Sequence, residues 1–440
     1  MTLDEVLGLR MAVWGLGTEG NAVVALARAR GVEPLLVDDH PESAAVLLPG
    51  DVSWGDVDVV VRAPGVSRYR PELAAAEAAG VVVTTAMALW LEDYADAEVL
   101  AVTGTKGKST TAALAAEILR ADGRRVALVG NIGVPVTDTY GQARVDAYVV
   151  EVSSYQAADV TVSPKVVVLT SLAPDHLDWH GGVEAYFRDK LRLVTAGRPD
   201  GTGSLAVSAG NPEAVRRTED HPDRMLYGPE GRVRVGADGW IEVDGTRLVD
   251  SGRLRIPGRH NQWNLCGAVA GARLLTGRSP SADAVGAALD RFDGLPSRCR
   301  PIGERQGRTY VDDALASNPF ASAASIETFD GRPLTVIVGG ADRGVDPAPL
   351  VAALAAHRPQ ASAVILPPDA ERLVELLVGG GLPSEAVRVA DDVAGAVGLA
   401  SELTPEGGVV LFSPGAPTPE GGGGYRERSR LFALSAGLDN

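Results

Sequence analysis

The sequence predicts an α/β protein built as three domains. Two observations carry this. Apolar, β-branched runs that end in Gly or polar residues alternate along the chain with Ala- and Leu-rich helical patterns, the signature of parallel sheets covered by helices. The length, 440 residues, corresponds to about three units of roughly 150 residues.

Residues 1–92 form the first expected domain, with a Rossmann-like pattern. "RMAVWGLG" reads as a strand entering a Gly turn and "GNAVVALARARG" as a helix with a Gly stop. "PLLVDD" and "VDVVVRAPG" read as further buried strands. Residues 93–294 form a central domain of P-loop ATPase type. Its strands are "EVLAVTG", "RVALVGNIG", "AYVVEVSSYQ" and "KVVVLTS". In open α/β sheets ligands sit beyond the carboxyl ends of the strands, so these four ends are expected to converge on one crevice. Residues 203–258 are richer in turns and short strands and read as a subsheet. "GRHNQWNLCGAVAGARLLTG" reads as a loop feeding a helix. Residues 295–440 read as a doubly wound α/β domain with strands at "RTYVDDA", "LTVIVGG", "SAVILP" and "GGVVLFSPG". The patch "EGGGG" (420–424) reads as a flexible loop.

Bulk properties exclude several classes. The formal net charge is −16, with no basic footprint for a general nucleic-acid binder. No uninterrupted apolar run reaches the roughly 18 residues of a membrane span. The start, "MTLDEVLGLRMAVWG", lacks a secretory pattern. The two cysteines, Cys266 and Cys299, fit a reducing compartment. The chain therefore reads as soluble and cytoplasmic, without nucleic-acid or membrane partners, and nothing demands more than a monomer.

The sharpest chemical signal is "VTGTKGKSTT" (102–111), between a strand and an Ala-rich helix. The strict phosphate-loop pattern needs Gly at position 102, where Val stands. What remains is coherent. Gly104 and Gly107 let backbone N–H groups around Thr105 and Lys106 face a phosphate. Lys108 reaches terminal phosphates, and Ser109 or Thr110 offers a hydroxyl to Mg²⁺. The alternative is a Gly-rich turn with solvated lysines. In the first domain Gly15, Gly17 and Gly20 fit G-x-G-x-x-G with an acidic residue about 20 positions on, which reads either as a dinucleotide site or as a tight structural turn.

Five other residues stand at strand ends, in loops or on a nearby helix. Glu151 ends an apolar run, where a charge is costly unless paired or bound to a metal; Mg²⁺ coordination and a salt bridge both satisfy it. His176, in "SLAPDHLDWHGG", is a metal ligand, an orienting donor or a structural turn residue. Lys190, in "YFRDKLRLV", reads from the sequence alone as a solvated helical lysine. Asn131 and Asn261 lie in loops and by themselves are turn chemistry.

Taken in order, "TGTKGKSTT", "GNIG", "VEVSSYQ", "DHLDWHG", "KLRLV", "GRHNQWN", "GLPSRCR" and "GGADRG" resemble the Mur ligases of peptidoglycan synthesis over nearly the whole chain. The short first domain resembles most the members that add glutamate to UDP-N-acetylmuramoyl-L-alanine. The resemblance implies an ATP-dependent ligase. ATP phosphorylates the substrate carboxylate, the amine of the incoming amino acid attacks the acyl phosphate, and phosphate leaves. It implies that Lys108 and Ser109 hold ATP phosphates and Mg²⁺, and that Glu151, His176 and a carbamylated Lys190 organise a second Mg²⁺. It implies nucleotide contacts from Asn261, Arg298 and Asp313. It turns the Gly-rich turn into a UDP pocket with Gly17, Thr18, Asp38, Pro64 and Gly65, and places Asn131 near the reacting end of the substrate.

The departures from the family pattern cluster on the amino-acid pocket. Most of the D-glutamate-adding relatives carry Lys in "DSKATN", where this chain has "DDALASNP" with Leu315 at the Lys position. The family's "SPACAS" becomes "SPGAPTPEGGGGYRERSRLF". Thr418 stands for the Ser that helps hold glutamate, and Gly422 falls where a Phe packs. Arg343 stands where many relatives have Lys. "SPGAP", "APDHLDWHGG" and "RDKLRLVTAGRP" resemble a group that adds L-glutamate, after which a separate epimerase inverts the residue. L-glutamate is therefore expected over D-glutamate, with Arg343 and Arg426 as partners for its carboxylates. A different ATP-dependent amino-acid ligase and a nucleotide-binding regulator are the competing readings.

Overall fold

The structure is a computed structural model that describes residues 1–41, 43, 45–198, 200–201, 203–341, 344–419 and 421–438. The chain divides into two compact units, one formed by Met1–Arg253 with Gln262–Arg291, the other by Leu254–Asn261 with the chain from Phe292 onward. Among the described residues no helix is long and apolar enough to cross a membrane.

The first unit holds two sheets. One contains β1 (Met11–Trp14), β2 (Leu35–Val37), β3 (Val46–Leu47), β4 (Val59–Arg62) and β5 (Val82–Thr84) in the order β3-β2-β1-β4-β5, every pair parallel. All residues of β1 and β4 are buried, as befits strands covered on both faces. The order reverses between β1 and β4, so their carboxyl ends open a crevice at Gly15–Gly17 and Ala63–Gly65. The Gly pattern has a steric cause here. A Cβ on Gly20 would lie 1.8 Å from the carbonyl oxygen of Gly15, so the helix Thr18–Ala29 approaches the β1 turn only because Gly20 has none.

The second sheet contains β6 (Val99–Thr103), β7 (Val126–Gly130), β8 (Ala147–Glu151), β9 (Val166–Leu169), β10 (Ser204–Ser208), β11 (Arg224–Tyr227), β12 (Val233–Val235), β13 (Trp240–Val243) and β14 (Thr246–Asp250). Its order is β14-β13-β12-β11-β10-β9-β6-β8-β7. The stretch read as a subsheet is not separate. β10 pairs in parallel with β9, so β10 to β14 extend the central sheet, turning antiparallel at β12–β13 and β13–β14. Asp244 (φ 49°) and Gly245 (φ 81°) form the two-residue turn between β13 and β14, the left-handed pair that suits strand twist. The helix read as following a loop begins earlier, at Arg259, and runs to Thr276.

The second unit carries β15 (Arg300–Arg305), β16 (Arg308–Asp312), β17 (Leu334–Val338), β18 (Ser362–Ile365), β19 (Val387–Val389) and β20 (Val409–Phe412), ordered β15-β16-β20-β17-β18-β19. Only β15–β16 is antiparallel. Its strands feed two cores in alternation. Val336 and Val338 pack into one, Ile337 into the other; Val409 and Leu411 into the first, Val410 and Phe412 into the second. A sheet with two apolar faces needs helices on both, which is the doubly wound arrangement. The glycine patch is not simply a loop. Gly423 (φ 69°) caps the helix Gly424–Ala436 in the left-handed conformation that glycine adopts without strain; Glu420 lies outside the described residues.

Within the first unit a buried ion pair joins the two sheets. Arg62, at the end of β4, is 1% exposed and pairs at 2.5 Å with Asp159. It donates to the carbonyls of Val66 (3.0 Å) and Tyr155 (2.8 Å), and its guanidinium lies 5.1 Å from the Trp179 ring. Arg68 pairs with the other Asp159 oxygen at 2.8 Å. Removing one partner of such a pair strands a buried charge. Asp159→Asn is expected to destabilise the first unit by about 3–5 kcal/mol, read as a lowered urea midpoint. An unchanged midpoint would show that the pair is not needed for the junction.

Candidate active site

The carboxyl ends of β9, β6, β8 and β7 are neighbours in the sheet, as the strand reading requires, and the candidate residues gather there. After β6 the chain bends through Gly104 (φ 147°) and Gly107 (φ 85°) into the helix Lys108–Ala121. A Cβ on Gly104 would meet the Thr170 hydroxyl at 2.0 Å, and one on Gly107 the Asn264 side-chain oxygen at 2.5 Å. The loop is strapped to the end of β9. Thr105 N–H donates to Ser171 O (2.9 Å), Lys106 N–H to Ser171 Oγ (2.9 Å), and Thr170 Oγ1 to Lys106 O (2.6 Å). Thr105 Oγ1 also lies 2.8 Å from the Tyr186 hydroxyl. Lys108 Nζ donates back to Thr105 O at 3.2 Å. The helix N-terminus therefore faces the crevice with a fixed loop around it, a ready anion cradle. Thr110, next to Ser109, is half-buried in the first turn of this helix.

Ser109, Glu151 and Asn131 are brought together. Ser109 Oγ donates to Glu151 Oε2 at 2.6 Å, and Asn131 Nδ2 to Oε1 at 2.8 Å. The Asn131 N–H donates to the Glu151 carbonyl at 2.9 Å. Glu151 is 1% exposed. An amide and a hydroxyl satisfy the two oxygens of this carboxylate. A hydroxyl and a carboxylate at the mouth of a phosphate loop are oxygen donors of the kind Mg²⁺ takes alongside phosphate oxygens. Among the described residues no group of three or more His, Cys, Asp and Glu side chains is gathered for a metal.

Lys190 corrects its sequence reading. It is buried, at 2% exposure, on the inner face of the helix Val183–Thr195 with Tyr186, Phe187, Leu191 and Leu193. Its Nζ donates to Gly104 O at 3.0 Å and lies 5.0 Å from the Tyr186 ring centre. Burial, reinforced by the Lys108 ammonium, pushes it well below the ordinary lysine value. His176 takes φ 52° at the start of the short helix Leu177–His180, its ring centre 4.9 Å from that of Tyr155. Its Nε2 lies 3.8 Å from Asp175, which also sits 3.8 Å from Lys106 Nζ. Burial lowers its pKa, and Lys190, Lys108 and Lys106 add to this while Asp175 opposes.

The β1–β4 crevice holds the expected nucleotide residues. Gly17 is the exposed N-cap of its helix, with open space where a Cβ would stand, and Thr18 beside it is exposed. Asp38 accepts from Leu16 N–H (2.7 Å) and His40 N–H (2.9 Å). Pro64 O accepts from Trp179 Nε1 at 3.1 Å, and Gly65 is exposed. Glu19, on the same helix turn, is pushed up to about 7 by burial, against the opposing hydrogen bond from Gln156.

In the second unit, Asn261 Nδ2 donates to Pro257 O at 2.6 Å and Arg298 is exposed. Asp313 is buried and accepts from Cys299 N–H (3.0 Å), Ser325 Oγ (2.6 Å) and Ser413 Oγ (2.7 Å). Thr418 is half-buried, and a Cβ on Gly422 would lie 2.7 Å from its Cγ2. Arg426 is exposed with its Nε 3.3 Å from the Tyr425 hydroxyl. Arg343 lies outside the described residues. Sequence reasoning missed Asp175, Tyr186 and Asn264. Tyr186 stands four residues before Lys190, a helical spacing that puts both on one face.

Comparison with known proteins gives the following. The Mur ligase middle domain matches residues 102–272, and the Mur ligase glutamate ligase domain residues 297–415. A UDP-N-acetylmuramoyl-L-alanine–L-glutamate ligase from a Micromonospora species is 40% identical over 98% of this chain and 97% of its own. One of the same name from Xanthomonas axonopodis pv. citri is 36% identical over 100% and 97%. Among solved structures, UDP-N-acetylmuramate–alanine ligase of Thermotoga maritima superposes with a TM-score of 0.61 at 19% identity, covering 97% of this chain and 98% of that one. Folylpolyglutamate synthase of Mycobacterium tuberculosis, complexed with ADP, gives 0.61 at 16% identity over 80% and 94%. These two share the fold.

Burial pushes Asp313 up to about 6, against its three donors. The unfolded value is about 3.9, so between about pH 4 and 6 the native state holds a proton that the unfolded chain has lost. Stability therefore falls as pH rises through this window, by up to about 3 kcal/mol. Asp313→Asn is expected to flatten that slope in urea titrations from pH 4 to 6.5; an unaltered slope would assign it elsewhere.

The whole-length relatives and the two domain matches agree: the chain belongs to the Mur ligase family of ATP-dependent, amide-forming ligases.

Proposed function

We propose that this chain joins L-glutamate to UDP-N-acetylmuramoyl-L-alanine at the expense of ATP. The supporting observation is 40% identity across its length to relatives that carry this reaction in their names, together with the Ser109–Glu151 pair beneath the phosphate loop. In this reading residues 1–92 hold the UDP portion through Gly17, Thr18, Asp38, Pro64 and Gly65. Residues 93–294 hold ATP, and residues 295–440 supply Asn261's partners in nucleotide binding, Arg298 and Asp313, and the glutamate pocket with Arg343, Thr418 and Arg426. The chain acts as a cytoplasmic monomer, and a separate epimerase later inverts the added residue.

The N–H groups of Gly107–Ser109 at the helix N-terminus and the Lys108 ammonium orient the ATP phosphates, the Thr105 and Lys106 N–H groups being spent on the Ser171 strap, while Asn131 steers the substrate carboxylate. Ser109 and Glu151 would hold one Mg²⁺, and Glu151, His176 and Lys190 a second; such ions neutralise charge on the transferring phosphoryl group. Lys190 suits carbamylation. Its unprotonated Nζ attacks the carbon of CO₂, a C–N bond forms, one C=O electron pair moves to oxygen, and the nitrogen releases a proton. The ammonium that would repel a cation becomes an anion. Positioning and charge neutralisation then carry the rate, since a free carboxylate has no usable leaving group until it is phosphorylated.

Two measurements test the reading. ADP release with UDP-N-acetylmuramoyl-L-alanine, ATP and Mg²⁺ is expected to be at least about tenfold faster with L- than with D-glutamate, a discrimination of about 1.4 kcal/mol; the reverse preference overturns the stereochemical assignment. Lys190→Ala is expected to lose activity and to regain part of it with added short-chain carboxylates. A fully active Lys190→Ala enzyme would remove Lys190 from the mechanism.

A further inference from the structure

A second polar cluster lies behind the site and is used by none of the roles above. His180 Nδ1 is 2.7 Å from Asp189 Oδ2, and its Nε2 is 3.0 Å from Ser154 Oγ. A carboxylate only accepts, so Nδ1 carries a proton and donates to Asp189, while Nε2 and the Ser154 hydroxyl share the second bond. Asp189 also accepts from the Tyr69 hydroxyl, 2.9 Å from each of its oxygens, and Tyr69 in turn accepts from Arg188 at 2.7 Å. Ser154, His180 and Asp189 are 3%, 1% and 4% exposed. The order Ser–His–Asp is that of a hydrolytic triad, but all three side chains are covered, and the hydroxyl has no open face for a substrate carbonyl. The cluster is therefore a strut.

What it connects is specific. Ser154 stands three residues after Glu151, His180 one helical turn after His176, and Asp189 immediately before Lys190. The His180 N–H also donates to the carbonyl of His176 at 3.2 Å, closing the turn in which His176 holds its left-handed φ of 52°. A non-glycine residue keeps that conformation only when its surroundings impose it. The imidazole packs against Trp179 (4.4 Å between ring centres) and Tyr186 (5.2 Å), and Tyr186 meets Thr105 of the phosphate loop. Tyr69 brings in the loop after β4, whose Ser67 donates to Trp179 O at 2.6 Å.

We infer that His180 is a positioning residue: one imidazole, bonded to Ser154 and Asp189, fixes the three segments that carry Glu151, His176 and Lys190 relative to one another. The inference rests on the ligase reading for its kinetic effect and on geometry alone for its hydrogen bonds. His180→Leu removes both bonds. It is expected to lower kcat by about 30- to 100-fold, the size of an effect from misplacement near 1 Å. KM for ATP is expected to stay within about threefold, because the phosphate loop remains strapped to Thr170 and Ser171. His180→Asn, whose amide N–H takes the place of Nδ1–H, is expected to recover about tenfold of the loss. If His180→Leu fails to fold, Ser154→Ala, which removes only one hydroxyl, is expected to lower kcat about three- to tenfold at an unchanged KM for ATP. A kcat within twofold of wild type in the folded variants, or no gain from His180→Asn over His180→Leu, overturns the inference. Proton NMR of the substrate-free protein separates this from failure of the ligase reading. A downfield imidazole N–H signal that is lost in His180→Leu and moves in Asp189→Asn is expected whether or not ligation is seen, and its absence from wild type overturns the strut.

Discussion

Parallel pairing of β6 with β8 and β9, and of β8 with β7, is the constraint on which the site depends. Parallel strands place all their carboxyl ends at one edge. The phosphate loop after Thr103, the Asn131 turn after Gly130, Glu151 itself and the Thr170–Ser171 strap therefore arrive side by side although up to 68 residues separate them in the chain, as between Thr105 and Ala173. Nothing about the individual side chains would bring them together without that common direction. Glycine serves the same end. Gly130 has φ 95°, and a Cβ there would lie 2.3 Å from the Glu151 carbonyl, so the two strand ends close up only because it has none.

Charge is handled differently on the two sides of this crevice. The acidic member, Glu151, is held by hydrogen bonds from two neutral groups. The basic members, Lys106, Lys108 and Lys190, crowd one another, and the most deeply buried of them is the one driven toward the unprotonated form. Desolvation and like-charge repulsion work in the same direction there. Crowded lysines thus coexist with one amine biased toward its neutral form, in a protein whose net charge is strongly negative. The acidity of the whole molecule says little about the field inside one cleft.

Much of this was legible in the sequence, because apolar strand runs and Gly turns are local signals. The strands, the phosphate loop and the Glu151 position follow from residues within ten or so of one another. What escaped was set by distant partners. Lys190 looked like a solvated helical lysine because its helix also carries Glu184, Arg188 and Arg192; only packing against Gly104, 86 residues away, turns that face inward. β10 to β14 looked separate because their turns are dense, whereas pairing of β10 with β9 decides their sheet. His180 and Asp189 gave no signal at all, since Ser154 and Tyr69 reach them from other segments.

The division of the chain has a consequence for how the molecule is made. Leu254–Asn261 belongs to the second unit although residues of the first lie on both sides of it. It is anchored there: Arg255 pairs with Asp293 at 2.7 Å, and a Cβ on Gly294 would touch Ile256 at 2.7 Å. On a ribosome, the first unit is complete only after Arg291 has emerged, and by then the inserted segment is already promised to a partner not yet synthesised. No single cut yields both units whole. A fragment beginning at Phe292 would lack an inner segment of its own fold, and one ending at Arg253 would lack the helix Arg259–Thr276, whose Leu265, Ala268, Val269 and Ala272 are buried. Either unit, made alone, has to carry or replace a piece that the chain order assigns to the other.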